Sequence, residues 1–344
     1  MTQFIENSLT REQFFDRYES PRTREKAVLS LKMLDEFLAK TYPDRSEREL
    51  LQELREGADD KRYALLSNLV AYWIKTGKGP ATVRIYFTFV KSWFRTQGIK
   101  TERESIKELV RLPKLIKLSR SPLTHEMISK LLSHCNHAYR AFFLILASSG
   151  MRFGELVVSQ AGWFDQSTTP VMIKIPAYAT KGKQDRFTFI SNEAYESIKP
   201  FLAGIKPDER VFDFAYLAPE IYMQRLRKKT GYLERYANMR NYKLNIHSFR
   251  SFFRTKVSDR LGVEFAYFLL GQEGYLSEYY RKSPEEAAEM YKKVEIDLTI
   301  SSEDRSKLVI ERQTKELQKQ HELELEVQKL RFRLERIEKS KRVA

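Results

Sequence analysis

The sequence feature that most constrains the fold is a continuous apolar run, AFFLILA, from Ala141 to Ala147. A helix that is apolar on every side must be enclosed by other elements, so this run predicts a helix buried inside a domain. The helix is predicted to end at Ser149–Gly150, because glycine commonly stops a helix. The run is far shorter than the roughly 20 residues that cross a bilayer, so it does not indicate a membrane span.

Length, composition and charge limit what the rest of the chain can be. The 344 residues are too many for one core and suit two domains with an appendage. Hydrophobic residues make up 42% and aromatic residues 12%, which excludes wholesale disorder. The formal net charge of +15 indicates a polyanionic partner, most commonly nucleic acid, although a basic protein without such a partner would have the same charge.

The cysteines, the histidines and the first residues exclude other classes of protein. Cys135 is the single cysteine, so no internal disulfide can form, and the 5 histidines do not have zinc-ligand spacing. The first residues lack the basic start and apolar run of a signal peptide. We therefore expect a soluble, cytoplasmic protein without a metal or another cofactor.

The N-terminal region, residues 1–112, is predicted to be helical. Apolar side chains recur there every three or four positions, as at Leu31, Leu34 and Leu38. Basic side chains between the apolar stripes can contact DNA phosphates, and solvated charges on an ordinary bundle explain them equally well. Residues 113–122, with a proline at each end, are predicted to be a basic linker. The candidate DNA-binding residues of both segments are Lys75, Lys78, Arg84, Lys91, Arg95, Lys114, Lys117 and Arg120.

The second region, residues 123–298, is predicted to be mainly α with a small antiparallel sheet, an α+β domain. Thr124 is a good N-cap for a helix over Met127–Ser133. Val171–Ile175 and Arg186–Ile190 are predicted to be strands on either side of a turn.

The third region, residues 299–344, is predicted to be a C-terminal helix, since it contains neither glycine nor proline. Its apolar positions follow alternating steps of four and three, as in the seam of a coiled coil. A self-association helix and a single charged helix packed on the body are both consistent with so short a seam. The seam residues are Leu323, Val327, Leu330, Leu334 and Ile337.

Two segments of the second region place cations at predicted turns. Arg152 follows the end of the buried helix, with Glu155 near enough to orient it, and an arginine there is suited to bidentate contact with phosphate. Lys181 lies in the turn between the predicted strands, where a flexible lysine can donate a proton to a leaving oxygen. Taken alone, Arg152 is equally consistent with a surface ion pair, and Lys181 with an ordinary charged turn.

Two further segments complete the set. His247 and Arg250 are three residues apart, so on a helix they share a face and can contact one anion. An apolar helix is then predicted to end at Leu270-Gly271-Gln272, and Tyr279 and Tyr280 follow. A tyrosine in such a place is usually a packing residue.

The order of these segments resembles that of the tyrosine recombinases, the family of the phage-type integrases. Over residues 123–295, the resemblance implies that the catalytic residues are Arg152, Lys181, His247, Arg250, Gln272 and Tyr280, with Glu155 in support. The stretch LSEYYRKSPEEAAEMYKK is most similar to the archaeal virus and plasmid branch, where a tyrosine and two lysines begin eleven residues after the nucleophile. Tyr291 has that place here, which favours Tyr280 over the alternative nucleophile, Tyr279.

The resemblance implies an enzyme that cuts and rejoins double-stranded DNA through a covalent bond between Tyr280 and a 3′ phosphate. Arg152 and Arg250 would hold the phosphate oxygens in place of a metal ion, and Lys181 would protonate the leaving 5′ oxygen. No ATP would be needed, because the covalent bond retains the energy of the cut. The resemblance further implies a helical core-binding (SAM-like) N-terminal domain, and a homotetramer on paired recombination sites.

Two alternatives remain at this stage. A type IB topoisomerase uses residues of the same types and relaxes supercoils without pairing two sites. A catalytically silent DNA-binding protein of the same fold is the other alternative, because Gln272 stands where the family usually has histidine or tryptophan. Glutamine can donate a hydrogen bond to a phosphate oxygen but cannot transfer a proton at neutral pH.

Overall fold

The structure of the protein, a computed structural model, describes residues 9–115, 122–236, 241–272 and 282–343, with the side chains of the last helix as far as Arg331. The chain divides into two compact units, Met1–Ser119 and Arg120–Ala344, each with its own hydrophobic core. The point of division falls inside the predicted linker, residues 113–122.

The described part of the first unit is helical, as the apolar stripes predict. Its helices are α1 (Arg11–Asp16), α2 (Pro21–Thr41), α3 (Glu47–Glu56), α4 (Asp59–Lys75), α5 (Pro80–Thr96) and α6 (Arg103–Leu109). The predicted stripe residues Leu31 and Leu34 of α2 are fully buried. Trp73 of α4 is fully buried too, and its indole N–H donates to the Met33 carbonyl at 3.4 Å. Packing of these apolar faces holds the bundle together.

The second unit combines helices with a small sheet. In chain order its elements are α7 (His125–Leu132), α8 (His137–Ser149), α9 (Phe153–Val157), β1 (Phe164–Asp165), β2 (Met172–Ile175), β3 (Arg186–Phe189), α10 (Asn192–Leu202), α11 (Ala218–Thr230), α12 (His247–Leu261), α13 (Val263–Leu270), α14 (Pro284–Leu298) and α15 (Ser302–Val343). This is the predicted fold class, mainly α with a small antiparallel sheet.

Helix α8 lies at the centre of the second unit, as its apolar run predicts. Every residue from Ala141 to Ser149 is buried. Around α8 pack α10, α12, α14 and strand β3. The helix ends at Gly150, which has the left-handed backbone conformation (φ 63°) that favours glycine.

The sheet is antiparallel in the order β1-β2-β3, with Met172 opposite Phe189 and Ile175 opposite Arg186. The two predicted strands are present, each one residue shorter than predicted. Strand β1 was missed, because two residues are too few to show an alternating pattern. Strand β3, which follows the loop that carries Lys181, packs on α13.

The residues directly before helix α15 are hydrogen-bonded to the rest of the unit, and apolar side chains farther along the helix are exposed. Glu193 of α10 accepts hydrogen bonds from the backbone N–H groups of Ile300 and Ser301 at 2.6 and 3.1 Å. Farther along, Leu323 is 57% exposed and Leu330 is 52% exposed. Leu334 and Ile337 lie outside the described side chains, so the coiled coil stays a prediction. In the described part of the chain, no helix is both long and apolar enough to cross a membrane.

Candidate active site

The turn after α8 positions Arg152. A Cβ atom at Gly150 would lie 2.3 Å from Phe253 and 2.7 Å from Leu270, so this turn is closely packed and requires glycine. Two residues later, Arg152 caps the N-terminus of α9, where its backbone N–H donates to Glu155 at 2.8 Å. The Arg152 guanidinium donates to the other oxygen of the same carboxylate, also at 2.8 Å. The contact predicted between Arg152 and Glu155 is therefore present.

Glu155 is an acidic group that lies among three arginines, Arg152, Arg186 and Arg250. Its side chain is 2% exposed and receives Arg152 on Oε1 and Arg186 on Oε2, the latter at 2.6 Å. Burial opposes ionisation of this carboxyl, but the adjacent Arg186 and Arg152 hold the pKa of Glu155 below its ordinary value. The group is therefore a buried carboxylate anion at neutral pH.

Arg186 was not among the predicted site residues. It is the first residue of β3, and its side chain is 8% exposed. Besides its ion pair with Glu155, it donates from Nη1 to the Leu269 carbonyl at 2.6 Å. Burial lowers the pKa of Arg186, and the Glu155 carboxylate opposes that shift. In the sequence, a buried arginine next to a charged glycine turn cannot be distinguished from a solvated arginine in the same place.

Arg250 joins the turn after α8 to the end of α13. It is 4% exposed, and it donates from Nη1 to the Gly150 carbonyl at 2.6 Å and from Nη2 to the Leu270 carbonyl at 2.8 Å. Burial, together with the positive charges of Arg152 and Arg186, lowers the pKa of Arg250 to about 9. A guanidinium has five N–H donors, so these two bonds leave others for a ligand.

Gln272 follows the helix end that Arg250 holds. Helix α13 stops at Gly271 (φ 57°), where a Cβ atom would lie 2.3 Å from Cδ of Arg186. The backbone N–H of Gln272 donates to the Tyr267 carbonyl at 3.0 Å, and the residue is partly buried. The main chain at Gln272 is thus fixed close to Arg186 and Arg250.

Two of the remaining predicted catalytic residues, His247 and Lys181, are exposed. His247 is the exposed first residue of α12, one turn before Arg250, and its backbone N–H donates to Asn245 Oδ1 at 2.9 Å. Lys181 is exposed in the loop between β2 and β3, five positions before Arg186. Tyr279 and Tyr280 lie outside the described residues.

The candidate DNA-binding residues are distributed over the helical part of the first unit and the predicted linker, residues 113–122. Lys75 ends α4, and Arg84, Lys91 and Arg95 of α5 are seven and four positions apart, which puts them on one helix face. Arg84 donates from Nε to the Pro113 carbonyl at 2.8 Å, so it also fixes the start of the predicted linker. Lys75, Arg95 and Lys114 are exposed, whereas Lys78, Arg84 and Lys91 are partly buried. Lys117 and Arg120 lie outside the described residues.

The arrangement is suited to binding a tetrahedral anion. Arg152, Arg186 and Arg250 carry three positive charges against the one negative charge of Glu155, a formal excess of two. Arg152 is one-third exposed and lies nearest to solvent. Among the described residues, no group of three or more His, Cys, Asp or Glu side chains could hold a metal ion. Charged N–H donors held by a fixed framework are the groups that stabilise charge on a phosphate oxygen.

Sulfate is therefore expected to bind the cluster and to raise the melting temperature by about 3–6 °C at ten times its dissociation constant. Arg152→Gln should reduce that shift strongly. Arg254→Gln is the matched control, because Arg254 is exposed on α12 and donates to the Tyr267 hydroxyl instead. Differential scanning fluorimetry measures both variants, and equal sulfate shifts in wild type and Arg152→Gln would contradict an anion site here.

The pH dependence of this binding follows from Arg250. A base with a lowered pKa is charged below that pKa, so sulfate affinity should be highest below pH 9 and fall as the pH rises through about 9. Sulfate keeps its charge over this range, so the change belongs to the protein. Calorimetric titration from pH 7.5 to 10 measures it, and Arg250→Met should retain only weak binding without this step. A wild-type affinity that is flat across pH 9 would contradict the assignment.

Comparison with known proteins gives the fold. The chain is similar to lambda integrase in a dimer bound to a COC′ core site, with a TM-score of 0.54, 18% identity, and coverage of 80% of this chain and 78% of that chain. It is also similar to XerH site-specific recombinase bound to difH substrate, with a TM-score of 0.52, 17% identity, and coverage of 82% and 84%. A third similar structure is a lambda integrase tetramer bound to a Holliday junction, with a TM-score of 0.51, 16% identity, and coverage of 81% of each chain.

At these identities the similarity concerns the fold, and the chain has the fold of the tyrosine recombinases. No protein-family model matches the sequence, and no curated protein matches it.

Proposed function

We propose that this chain is a site-specific DNA recombinase that cleaves and rejoins DNA through a covalent 3′-phosphotyrosine intermediate. The observation that carries the proposal is a cluster of three arginines within a unit of tyrosine-recombinase fold: Arg152 and Arg186 pair with the buried Glu155 carboxylate, and Arg250 lies near enough for its charge to interact with theirs. Three segments distant in sequence meet there, and their excess charge suits a single phosphate. The proteins of similar fold include integrases and a recombinase bound to DNA, which supports double-stranded DNA as the substrate.

The proposed reaction is a transesterification that needs no metal or ATP. The Tyr280 oxygen attacks phosphorus, the bond from phosphorus to the 5′ oxygen breaks, and the protein becomes joined to the 3′ phosphate. Arg152 and Arg250 stabilise the charge that builds on the non-bridging oxygens, with His247 and Gln272 adding hydrogen bonds. Tyr280 releases its proton to water, and Lys181 gives a proton to the leaving 5′ oxygen. Attack by a 5′-hydroxyl of the partner strand reverses these steps and rejoins the DNA.

The rest of the chain is assigned to holding DNA and other protomers. The basic face of α5, with Lys75, Lys78 and the segment from Lys114 to Arg120, would contact phosphates of the duplex. The proposed domains are a DNA-binding domain of residues 1–112, a linker of residues 113–122, a catalytic domain of residues 123–298 and a C-terminal helix. A lambda integrase of similar fold was solved both as a dimer and as a tetramer on DNA, which supports a homotetramer on paired sites. The archaeal virus or plasmid branch remains a prediction from the sequence around Tyr291.

The test begins with a DNA site selected for binding from a random-sequence pool. A series of duplexes is then made, each with a nick at a different position across that site. Cleavage next to a nick releases a short oligonucleotide that carries the 5′-hydroxyl, so the protein is trapped on the 3′ phosphate. We expect an SDS-resistant adduct, and mass spectrometry should place it on the peptide containing Tyr280.

The outcomes of this test separate the alternatives. Tight binding without an adduct at any nick position would favour a silent DNA-binding protein, the function that Gln272 supports. An adduct together with relaxation of supercoiled plasmid, but without exchange between two sites, would favour a type IB topoisomerase. Exchange of flanking markers between two copies of the site would support the recombinase.

Removal of residues 320–344 tests the proposed role of α15 in assembly. We expect cleavage of a single nicked site to continue at the wild-type rate, whereas pairing of two sites should fall by about tenfold or more, as on loss of a linked contact. Replacing Leu323, Val327 and Leu330 by glutamine in the full-length chain should have the same effect, since these side chains are exposed in the single chain. Gel-shift assays resolve one-site and two-site complexes, and unchanged pairing would contradict this role.

A further inference from the structure

Arg186 contacts more of the site than any role assigned above explains. Its side chain is buried, and its two terminal nitrogens contact different parts of the chain: Glu155 Oε2 at 2.6 Å and the Leu269 carbonyl at 2.6 Å. Between those contacts its Cδ lies against Gly271, where no side chain larger than hydrogen fits. A buried arginine held at both ends is fixed in position and cannot extend to a ligand in the way that the partly exposed Arg152 can.

This geometry determines how much of the Arg152 charge remains available to an anion. The Arg152 guanidinium donates to Glu155 Oε1, and Arg186 donates to Oε2, which also accepts from the Arg152 backbone N–H. If Arg152 were the single partner of this buried carboxylate, the pair would be neutral and bidentate, and Arg152 would have little charge left for an anion. With Arg186 present, a buried arginine balances the negative charge of the Glu155 carboxylate.

We propose that Arg186 is a positioning residue that occupies Glu155 from the protein interior and thereby keeps Arg152 available to bind the DNA phosphate. The part about DNA rests on the proposed function, and the effect on anion binding does not. Arg186 also begins β3, directly after the loop of Lys181, and it holds the end of α13 beside Gln272. One side chain therefore fixes three segments that carry predicted catalytic residues.

The proposal predicts a specific pattern in the affinity for sulfate. Arg186→Met removes one charge and leaves Glu155 to Arg152, so the dissociation constant should rise about tenfold or more. Adding Glu155→Gln to that variant removes the negative charge and should restore the affinity to within about threefold of wild type. A residue needed merely for packing would give no rescue, because the second substitution removes a further set of hydrogen bonds.

Two further variants keep the test decisive if Arg186→Met folds poorly. Arg186→Lys retains the charge but cannot contact Glu155 and Leu269 together, so sulfate affinity should stay within about threefold while the melting temperature falls. Lys174→Met is the matched control for net charge, since Lys174 lies on the neighbouring strand β2 and pairs with Asp165 outside the cluster. Its sulfate affinity should equal that of wild type.

Isothermal titration with sodium sulfate on the full-length protein measures all four variants, with circular dichroism as the check of folding. Loss of affinity in Arg186→Met and its recovery in the double variant would establish the role of Arg186. Unchanged affinity in a folded Arg186→Met protein, or equal loss in single and double variants, would overturn it. Because sulfate binding requires no cleavage, a failed trapping experiment would reject the recombinase and leave this result intact.

Discussion

Replacing Tyr280 by phenylalanine is expected to abolish the covalent protein–DNA adduct. The substitution removes one oxygen atom, which is the atom proposed to attack phosphorus, and leaves the ring for packing. Removal of a nucleophile typically lowers a rate by about a thousandfold or more, so adduct should be undetectable on the trapping duplexes after any practical time. Binding to the same duplexes should stay within about threefold of wild type, because phosphate contacts from the rest of the chain remain.

Tyr279→Phe is the matched control, since the two tyrosines are adjacent and the substitution is the same. It should retain the adduct, at a rate within about tenfold of wild type. If Tyr279→Phe loses the adduct and Tyr280→Phe retains it, the nucleophile has been assigned to the wrong residue. If the wild-type chain forms no adduct under conditions of tight binding, both substitutions are uninformative about chemistry and the silent DNA-binding protein is favoured.

Features fixed by neighbouring residues could be predicted from the sequence. The run from Ala141 to Ala147 predicts a buried helix, and Gly150 predicts its end, because both depend on the local pattern. The contact of Arg152 with Glu155 was also predictable, since a spacing of three at a helix start brings these side chains together. Helices α12 and α13 end at glycine for the same local reason.

Arg186 shows what the sequence could not provide. Its partners, Glu155 and Leu269, are 31 and 83 positions away, and nothing near Arg186 in the sequence indicates either of them. The pattern of a basic residue beside a glycine turn is the same whether the side chain is buried or solvated. A buried charge needs a partner that only the tertiary fold supplies.

Arg250 was predicted as a phosphate ligand from its spacing to His247, and the structure adds a second role. Two of its nitrogens bind the carbonyls of Gly150 and Leu270, 100 and 20 positions away. The lowered pKa of Arg250 also depends on burial and on cations from other segments, which no local pattern encodes.

Replacing Arg250 by lysine is expected to lower the rate of adduct formation by about a hundredfold to a thousandfold, the usual effect of removing one donor that stabilises transition-state charge. Lysine keeps the positive charge, so the loss would come from geometry. A single ammonium cannot reach both the Gly150 and the Leu270 carbonyls while also donating to a phosphate oxygen. One buried carbonyl would then lack a donor, and stability should fall by about 1–3 kcal/mol.

Arg254→Lys provides the comparison, because Arg254 lies one turn farther along α12 and donates to the Tyr267 hydroxyl at the surface. That variant should form adduct within about threefold of the wild-type rate and unfold at the same denaturant concentration. Single-turnover trapping gives the rates, and urea unfolding gives the stabilities. An Arg250→Lys protein that is folded and cleaves within about threefold of wild type would contradict the proposal that this guanidinium acts on the phosphate. A protein that is destabilised but cleaves normally would restrict Arg250 to holding the ends of α8 and α13 together.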